Sequence, residues 1–227
     1  YSAVQHFFGS LKAAGRRKVK ILHIGDSHVQ ADIGTGYARD RLQQVFGKGG
    51  RGMIFPYACA QTHPGNDYLT YCNGRWTFAR NVQPMPLHSI GVSGATIVTH
   101  DPKAHFRIIF NTFYNDMDNV VLKLFCKQSP KSFNLKVLVN KSNIPIEAEC
   151  SDTIMPFVRI RLNEAPRILD FYLDKTSPEQ NFFECYGFSL ERLADEGLLY
   201  HSVGINGAGF TSFLKQNLYE QQVRALD

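Results

Sequence analysis

The sequence predicts an α/β protein interrupted by an antiparallel β-sandwich. Helical and strand patterns alternate at both ends of the 227-residue chain, whereas short strand patterns follow one another through its middle. An apolar run at residues 19–24 ends in a small polar turn, and another near residue 200 ends in a glycine-rich turn. A chain of this length with 44% apolar residues can bury one large core or two modest ones.

Residues 1–80 are assigned to the first part of the α/β domain: helical and strand patterns alternate up to residue 46, and residues 53–80 are predicted to be loop and short strands. We predict an amphipathic helix around residues 4–14, a buried strand over residues 19–24 and a second helix over residues 37–46. The hexamer GKGGRG that follows, residues 47–52, matches a dinucleotide-binding pattern by its letters. It follows a helix rather than a strand, so we interpret it as a glycine-rich turn.

Residues 81–195 are predicted to form a separate β domain. Their short segments are rich in β-branched and aromatic side chains, mostly alternate apolar with polar residues, and are divided by turns. The predicted strands are residues 106–110, 120–125, 133–139, 157–162 and 168–173. Regularly spaced strands of this kind favour an antiparallel sandwich.

Residues 196–227 return to the α/β pattern. A strand is predicted over residues 198–203, a glycine-rich turn over residues 204–209 and a helix over residues 211–226. The chain is therefore expected to leave its first domain, form the sandwich and come back. Such an insertion is tolerated where the exit and the return lie close together.

Composition argues against several functional classes. The formal net charge is +5, but acidic and basic residues alternate, so nucleic-acid binding is not predicted. No apolar stretch reaches the length of a membrane span. The five cysteines include no CxxC pair, which argues against a zinc ribbon or a thioredoxin-like motif. Cys59 and Cys72 could be bridged in an oxidising compartment, although the odd count leaves at least one free thiol.

The turn GDSH at residues 25–28 is the first candidate for a chemical site. Ser27 follows a predicted strand, so its hydroxyl is expected at the carboxyl edge of a sheet, where α/β proteins bind their ligands. A second interpretation stays open, because Asp and Ser after a strand are also common helix-capping residues.

Two short motifs resemble those of the SGNH/GDSL hydrolase superfamily. The run IGDSH at residues 24–28 is similar to its first block, in which the nucleophilic serine follows the first strand. The run GINGA at residues 204–208 is similar to its second block, whose glycine donates a backbone amide to the oxyanion hole. An inserted β-sandwich resembles the branch that contains bacterial peptidoglycan O-acetylesterases. The likeness covers residues 15–50 and 196–227, and it implies a flavodoxin-like three-layer α/β core, incomplete in this sequence.

The resemblance implies a serine esterase and gives roles to particular residues. Ser27 would attack the ester carbonyl, and the N–H groups of Ser27 and Gly207 would hold the oxyanion. Loss of one such donor typically costs about 2.7–4 kcal/mol of transition-state stabilisation. Asp26, His28 and Asn206 are expected to support the site. Asp26 is interpreted as a carboxylate that fixes the turn, and His28, next to the nucleophile in sequence, as a poor general base.

A rival for the oxyanion glycine lies in the predicted sandwich. The run IGVSGAT at residues 90–96 also resembles the second block and places Gly94 in the glycine position. A strand-rich stretch follows Gly94, whereas Gly207 leads into a predicted helix, as a strand-to-helix turn should. We therefore favour Gly207.

The later blocks of the superfamily are missing from this sequence. No Gly-x-Asn-Asp or Gly-Thr-Asn-Glu segment and no Asp-x-x-His segment follow Gly207. His201 lies within a predicted strand and is interpreted as a core or sheet-edge residue. We expect the catalytic Asp and His outside this sequence, in a further segment or a partner chain that completes the sheet. The alternative, a protein without its base, would keep only about 10³- to 10⁴-fold catalysis over water.

The expected substrate is an O-acetylated polysaccharide such as peptidoglycan, met in the bacterial periplasm or outside the cell. No metal or organic cofactor is implied. The aromatic candidates for stacking on sugars are Phe113, Tyr114, Tyr172 and Phe183, although a role in the sandwich core is the favoured interpretation. Two other classes stay open: a non-catalytic carbohydrate-binding protein, and a lipase or thioesterase with the same serine chemistry.

Overall fold

The computed structural model describes residues 2–111, 119–150 and 155–226. It is 38% strand and 21% helix, and its strands form three sheets. Phe113 and Tyr114 lie outside the described residues. Within the described ranges, no helix combines the length and the apolar character that crossing a membrane requires.

The secondary structure begins with helices and continues mainly as strands. The helices are α1 (Ser2–Lys12), α2 (Ser27–Ala31), α3 (Ile33–Phe46), α4 (Phe210–Phe213) and α5 (Tyr219–Leu226), with a short 3₁₀ helix at Tyr57–Ala60. The strands are β1 (Lys18–Gly25), β2 (Gly50–Ile54), β3 (Tyr68–Asn73), β4 (Thr77–Arg80), β5 (Ala95–Thr99), β6 (His105–Phe110), β7 (Val120–Cys126), β8 (Asn134–Val139), β9 (Ile146–Ala148), β10 (Val158–Arg161), β11 (Ile168–Asp174), β12 (Phe183–Arg192) and β13 (Gly197–Gly204).

Strands β1 and β13 form a two-stranded parallel sheet. Lys18 pairs with Gly197 and Gly25 pairs with Gly204, so the two strands end at the same level. Ile24, near the end of β1, is 37% exposed. The prediction of a strand buried along its whole length is therefore wrong at this end, because β1 has a strand neighbour on one side only within the described residues.

The other two sheets are antiparallel and pack face to face. The larger runs β10-β7-β12-β5-β4, with β2 also paired to β12, and the smaller runs β3-β6-β11-β8-β9. Between them, the rings of Phe106 and Phe171 lie 5.9 and 4.9 Å from the ring of Phe188. Phe183, a candidate for sugar stacking, is fully buried in this core. Burial of these apolar side chains is the main favourable contribution to the folding of the sandwich.

The predicted flavodoxin-like three-layer α/β core is wrong. Such a core needs several neighbouring parallel strands with helices on both faces, and among the described strands only β1 and β13 pair in parallel. The strands within residues 50–73 join the antiparallel sheets instead, since β2 pairs with β12 and β3 pairs with β6. The domain limits at residues 80 and 195 stay a prediction.

The last predicted helix is wrong as a single element. The structure divides residues 211–226 between α4 and α5. Between these helices, the Leu218 N–H donates to the Ile90 carbonyl at 3.2 Å, and the Asn217 side chain accepts a hydrogen bond from the Ile90 N–H at 3.0 Å. The helix is interrupted because Asn217 and Leu218 form these hydrogen bonds to Ile90, which lies in the segment that precedes β5. The strand predictions at residues 106–110, 120–125 and 168–173 are confirmed.

A buried charge network holds α2 and α3 to the sandwich. Asp32, between the two helices, accepts hydrogen bonds from Arg39 and Arg51, each at 2.8 Å. Arg51, at the start of β2, also reaches Asp67 at 2.7 Å, just before β3. Each cation therefore has a carboxylate partner, as buried charges require. The network fixes the end of the short helix that begins at Ser27.

Candidate active site

The turn after β1 places Ser27 at the first position of α2. Asp26 caps this helix, because its carboxylate accepts a hydrogen bond from the His28 backbone N–H at 3.0 Å. The first N–H groups of a helix have no partner within the helix, and no described residue accepts the Ser27 N–H. Ser27 is half-buried, so a ligand at the edge of the sheet can reach it.

Asp26 and His28 bond to each other on either side of Ser27. The His28 ring Nδ1 lies 3.1 Å from the Asp26 carboxylate, and the His28 side chain is 93% exposed. The pKa of Asp26 is lowered, first because its carboxylate accepts the His28 backbone N–H and second because it bonds the His28 ring. The carboxylate is therefore ionised at neutral pH and holds the turn in place.

The turn after β13 lies against the start of α2. A Cβ atom on Gly204 would lie 2.2 Å from the Gln30 backbone nitrogen, so only glycine allows this approach. The Ile205 N–H donates to the Gly25 carbonyl at 3.3 Å, and Ile205 is fully buried. The structure therefore brings the two predicted turns together at the carboxyl edge of the parallel sheet.

Gly207 lies at the exposed tip of this second turn. Its φ is +81°, a conformation that residues with a side chain rarely adopt. No described residue accepts a hydrogen bond from its N–H, and a Cβ atom there would meet nothing within 4 Å. Asn206 differs, because its N–H already donates to the Gln30 side chain. The Gly207 N–H is therefore available to donate a hydrogen bond to a ligand, whereas the Asn206 N–H is not.

Gln30 is a site residue that sequence reasoning missed. Its side chain is 6% exposed, and its Oε1 accepts the Asn206 N–H at 2.5 Å. Its Nε2 donates to Thr62 Oγ1 at 3.0 Å and to the His63 carbonyl at 2.6 Å. All three partners lie at least 32 positions away in the sequence. The only local signal is a polar residue beside an apolar one on a short helix, and that signal does not identify a partner.

Gly94, the rival glycine, is buried beneath the second turn. Its N–H donates to the Gly91 carbonyl at 3.1 Å, and its carbonyl accepts the Asn81 N–H at 3.0 Å. A Cβ atom on Gly94 would lie 2.7 Å from a side-chain carbon of Ile205. Since its backbone donor is used inside the protein, Gly94 has none to offer to a ligand.

His201 lies inside the protein on β13. It is 1% exposed, and neither ring nitrogen has a hydrogen-bond partner among the described residues. Burial, and then the nearby charge of Lys123, lower the pKa of His201 to about 3. His201 is therefore a neutral core residue at physiological pH. In the described ranges, no group of three or more His, Cys, Asp or Glu side chains is arranged to hold a metal ion.

Comparison with known proteins finds a similar fold among the solved structures. No protein-family model matches the chain, and no curated protein matches it significantly. Among solved structures, the chain is similar to one described as "Peptidoglycan O-acetylesterase in action, 5 min", with a TM-score of 0.64 and 19% sequence identity. The match covers 93% of this chain and 53% of that chain, so this chain spans about half the length of its neighbour. At this identity, the match shows an esterase-like fold.

Proposed function

We propose that this chain supplies the nucleophile and the oxyanion hole of an SGNH-type serine esterase that removes O-acetyl groups from a polysaccharide such as peptidoglycan. The observation that carries the proposal is the register of the parallel sheet. Gly25 pairs with Gly204, so the turn that contains Ser27 leaves the sheet beside the turn that contains Gly207. The fold shared with a peptidoglycan O-acetylesterase supports the same activity and substrate.

The chemistry follows from the groups in the two turns. Ser27 Oγ attacks the acetyl carbonyl carbon, and the negative charge that develops on the carbonyl oxygen is received by the N–H groups of Ser27 and Gly207. Collapse of this intermediate breaks the bond to the sugar oxygen and leaves an acetyl group on Ser27. Water then attacks the acetyl-enzyme, which releases acetate and restores the hydroxyl.

A base must take the Ser27 proton and return it to the leaving sugar oxygen. His201 is buried, and among the described residues His28 makes no hydrogen bond to the Ser27 hydroxyl, although its ring bonds to Asp26. We assign the role of base to neither residue. We propose that the catalytic His and Asp lie outside these 227 residues, in a further segment or a partner chain, as the resemblance to the SGNH/GDSL superfamily implies.

The proposed place of action is the bacterial periplasm or the outside of the cell. Cys59 and Cys72 form a disulfide that joins the 3₁₀ helix to β3. Disulfides persist in oxidising compartments and are rare in the cytosol. Cys126, Cys150 and Cys185 are buried and free. The disulfide supports export of the protein from the cytosol. An acetylated cell-wall polysaccharide is also located outside the cytosol.

A non-catalytic carbohydrate-binding protein is the second candidate. Two aromatic side chains on the outer face of the five-stranded sheet favour it, since Tyr71 is 54% exposed and Tyr172 is 37% exposed. In that case the sandwich binds the glycan, and Ser27 serves as the first residue of α2 without a chemical role.

Acetate release by the full-length protein distinguishes these candidates. The substrates are O-acetylated peptidoglycan and p-nitrophenyl esters of increasing acyl length. The proposed esterase releases acetate from both kinds of substrate and loses turnover steeply beyond the acetyl group. A lipase would keep its turnover on longer chains. Glycan binding without release of acetate from any ester would overturn the proposal and leave the carbohydrate-binding protein.

A further inference from the structure

Three of the five cysteines carry free thiols and lie together in the sandwich core. Cys126 is the last residue of β7, Cys150 follows β9, and Cys185 lies on β12. Their exposed fractions are 4%, 0% and 0%. None of them belongs to the candidate active site, so this cluster is a second place in the molecule at which covalent chemistry can occur.

The side chains of Cys126 and Cys150 are in direct contact. The Cys126 S–H donates a hydrogen bond to the Cys150 sulfur. The surrounding chain fixes Cys150 in this position, because its carbonyl accepts the Ser129 N–H at 2.9 Å and its N–H donates to the Asn134 side chain at 3.3 Å. The two sulfur atoms therefore already face each other, as a disulfide between them requires.

Cys185 also lies close to Cys126, but its thiol has another partner. The two residues pair across β7 and β12, and the register of this pairing shifts between Cys185 and Gly187. At this bulge, the Cys185 sulfur accepts the Gly187 N–H at 3.4 Å. The geometry therefore favours Cys150 over Cys185 as the partner of Cys126.

A cavity of about 280 Å³ borders Cys126 and brings a small molecule next to this residue. Its other walls include Lys127, Tyr186 and Gln222. The pKa of the Cys126 thiol is raised, first by its hydrogen bond to Cys150 and second by burial. Since the thiolate is the reactive form, we expect the folded protein to react slowly and to react first at Cys126.

We propose that Cys126 and Cys150 form a site of oxidative modification, at which a small external disulfide converts the two thiols into a second disulfide of this protein. The Cys126 thiolate attacks one sulfur of the external disulfide, which breaks its S–S bond and releases one thiolate. The Cys150 thiolate then attacks the Cys126 sulfur, forms the Cys126–Cys150 bond and releases the second thiolate. The released thiolates take up the two protons that the protein thiols lose. Two protein thiols are thus oxidised, and one external disulfide is reduced.

The new bond ties the end of β7 to the chain just after β9. It closes a loop over residues 126–150, which restricts the unfolded chain more than the folded one. We expect oxidation of this pair to raise the midpoint temperature of thermal unfolding by about 5–10 °C. The modification goes beyond the proposed esterase function and does not depend on it.

Peptide mapping after treatment with bis(2-hydroxyethyl) disulfide, a small uncharged probe, tests the site. The folded full-length protein is incubated with the probe for hours, quenched with acid, unfolded, alkylated with N-ethylmaleimide and digested without reduction. We expect a linked pair of peptides that contain Cys126 and Cys150, and an alkylated Cys185. The Cys59–Cys72 disulfide is linked before and after treatment and serves as the internal standard.

Two variants separate the roles of the three thiols. Cys150→Ala removes the second nucleophile, so we expect the reaction to stop at a mixed disulfide between Cys126 and the probe. Cys185→Ala, the matched control, removes a buried thiol of the same cluster and is expected to form the Cys126–Cys150 bond as the wild type does. Circular dichroism confirms that both variants are folded.

Two results in the wild type would overturn the site. They are alkylation of both Cys126 and Cys150 after the treatment, and a bond between Cys126 and Cys185. An unchanged midpoint temperature in the fully linked protein would overturn the expected stabilisation. Acetate release is measured separately, so its absence counts against the esterase alone, and absence of the bond counts against the thiol pair alone.

Discussion

The side-chain oxygen of Gln30 accepts a hydrogen bond from the Asn206 backbone N–H, across 176 positions of sequence. This bond ties α2, which begins at Ser27, to the turn that carries Gly207. The amide nitrogen of the same side chain is bonded on its other side to Thr62 and to the loop around it. One buried side chain therefore holds the two halves of the proposed site at a fixed spacing.

Replacing Gln30 with alanine is expected to lower the kcat of ester hydrolysis by about 10- to 100-fold and to change KM little. The Gly207 donor would shift relative to Ser27, and this donor is used mainly in the transition state. Steady-state kinetics of the full-length protein on p-nitrophenyl acetate measure both constants. Gln44→Ala, on the exposed side of α3, is the matched control. A folded Gln30→Ala variant with the wild-type kcat would rule out this positioning role.

Two glycine-to-alanine variants are expected to differ in stability. At Gly204, the new Cβ would lie 2.2 Å from the Gln30 nitrogen and 2.5 Å from the Asp26 carbonyl oxygen, and both are backbone atoms. We expect a loss of about 3 kcal/mol in the free energy of unfolding. At Gly207 the space is open, and the positive φ alone costs about 1 kcal/mol. Urea unfolding measures both values, and equal losses would refute the close packing of the two turns.

The free energy of unfolding is expected to decrease as the pH is lowered through the range in which His201 binds a proton in the unfolded chain but not in the folded protein. Its pKa is about 3 when folded and 6.5 in its ordinary state. Between these values the unfolded chain binds a proton that the folded protein does not, so acid favours unfolding. Lowering the pH from 7 to 5 should therefore reduce the free energy of unfolding by about 2 kcal/mol through this residue.

The variant His201→Leu isolates this contribution. Leucine does not titrate, and neither ring nitrogen of His201 has a described partner to lose. We expect the variant to be about as stable as the wild type at pH 7 and to show a flatter dependence between pH 7 and pH 5. His6→Gln, an exposed substitution on α1, should keep the wild-type slope. The same slope in His201→Leu and in the wild type would assign the pH dependence to other groups.

The elements that could be predicted from the sequence are those whose signal lies in neighbouring residues. The apolar run before Ser27 and the alternation along β6 are local patterns, and the structure has strands at both places. The position of the two turns at the same edge of the sheet could also be predicted, because each turn follows a strand and the carboxyl ends of parallel strands lie at one edge.

The pairing of β2 and β3 could not be predicted in this way. Met53 on β2 pairs with Ser189, more than a hundred positions away, and no spacing near Met53 indicates that partner. Without knowledge of this pairing, the sequence predicts that residues 50–73 belong to an α/β core, which the described chain does not form. Gln30 was missed for the same reason, because its role depends on distant backbone groups.

Ser27 as the nucleophile is tested by acetate release from O-acetylated peptidoglycan, measured for the full-length wild type, Ser27→Ala and Ser10→Ala. Ser10 is a half-buried serine on α1 and serves as the control. We expect Ser27→Ala to lose at least about 10³-fold in kcat, as removal of a serine nucleophile does elsewhere, and Ser10→Ala to release acetate at the wild-type rate. Release at the wild-type rate by a folded Ser27→Ala variant would show that another group attacks the ester.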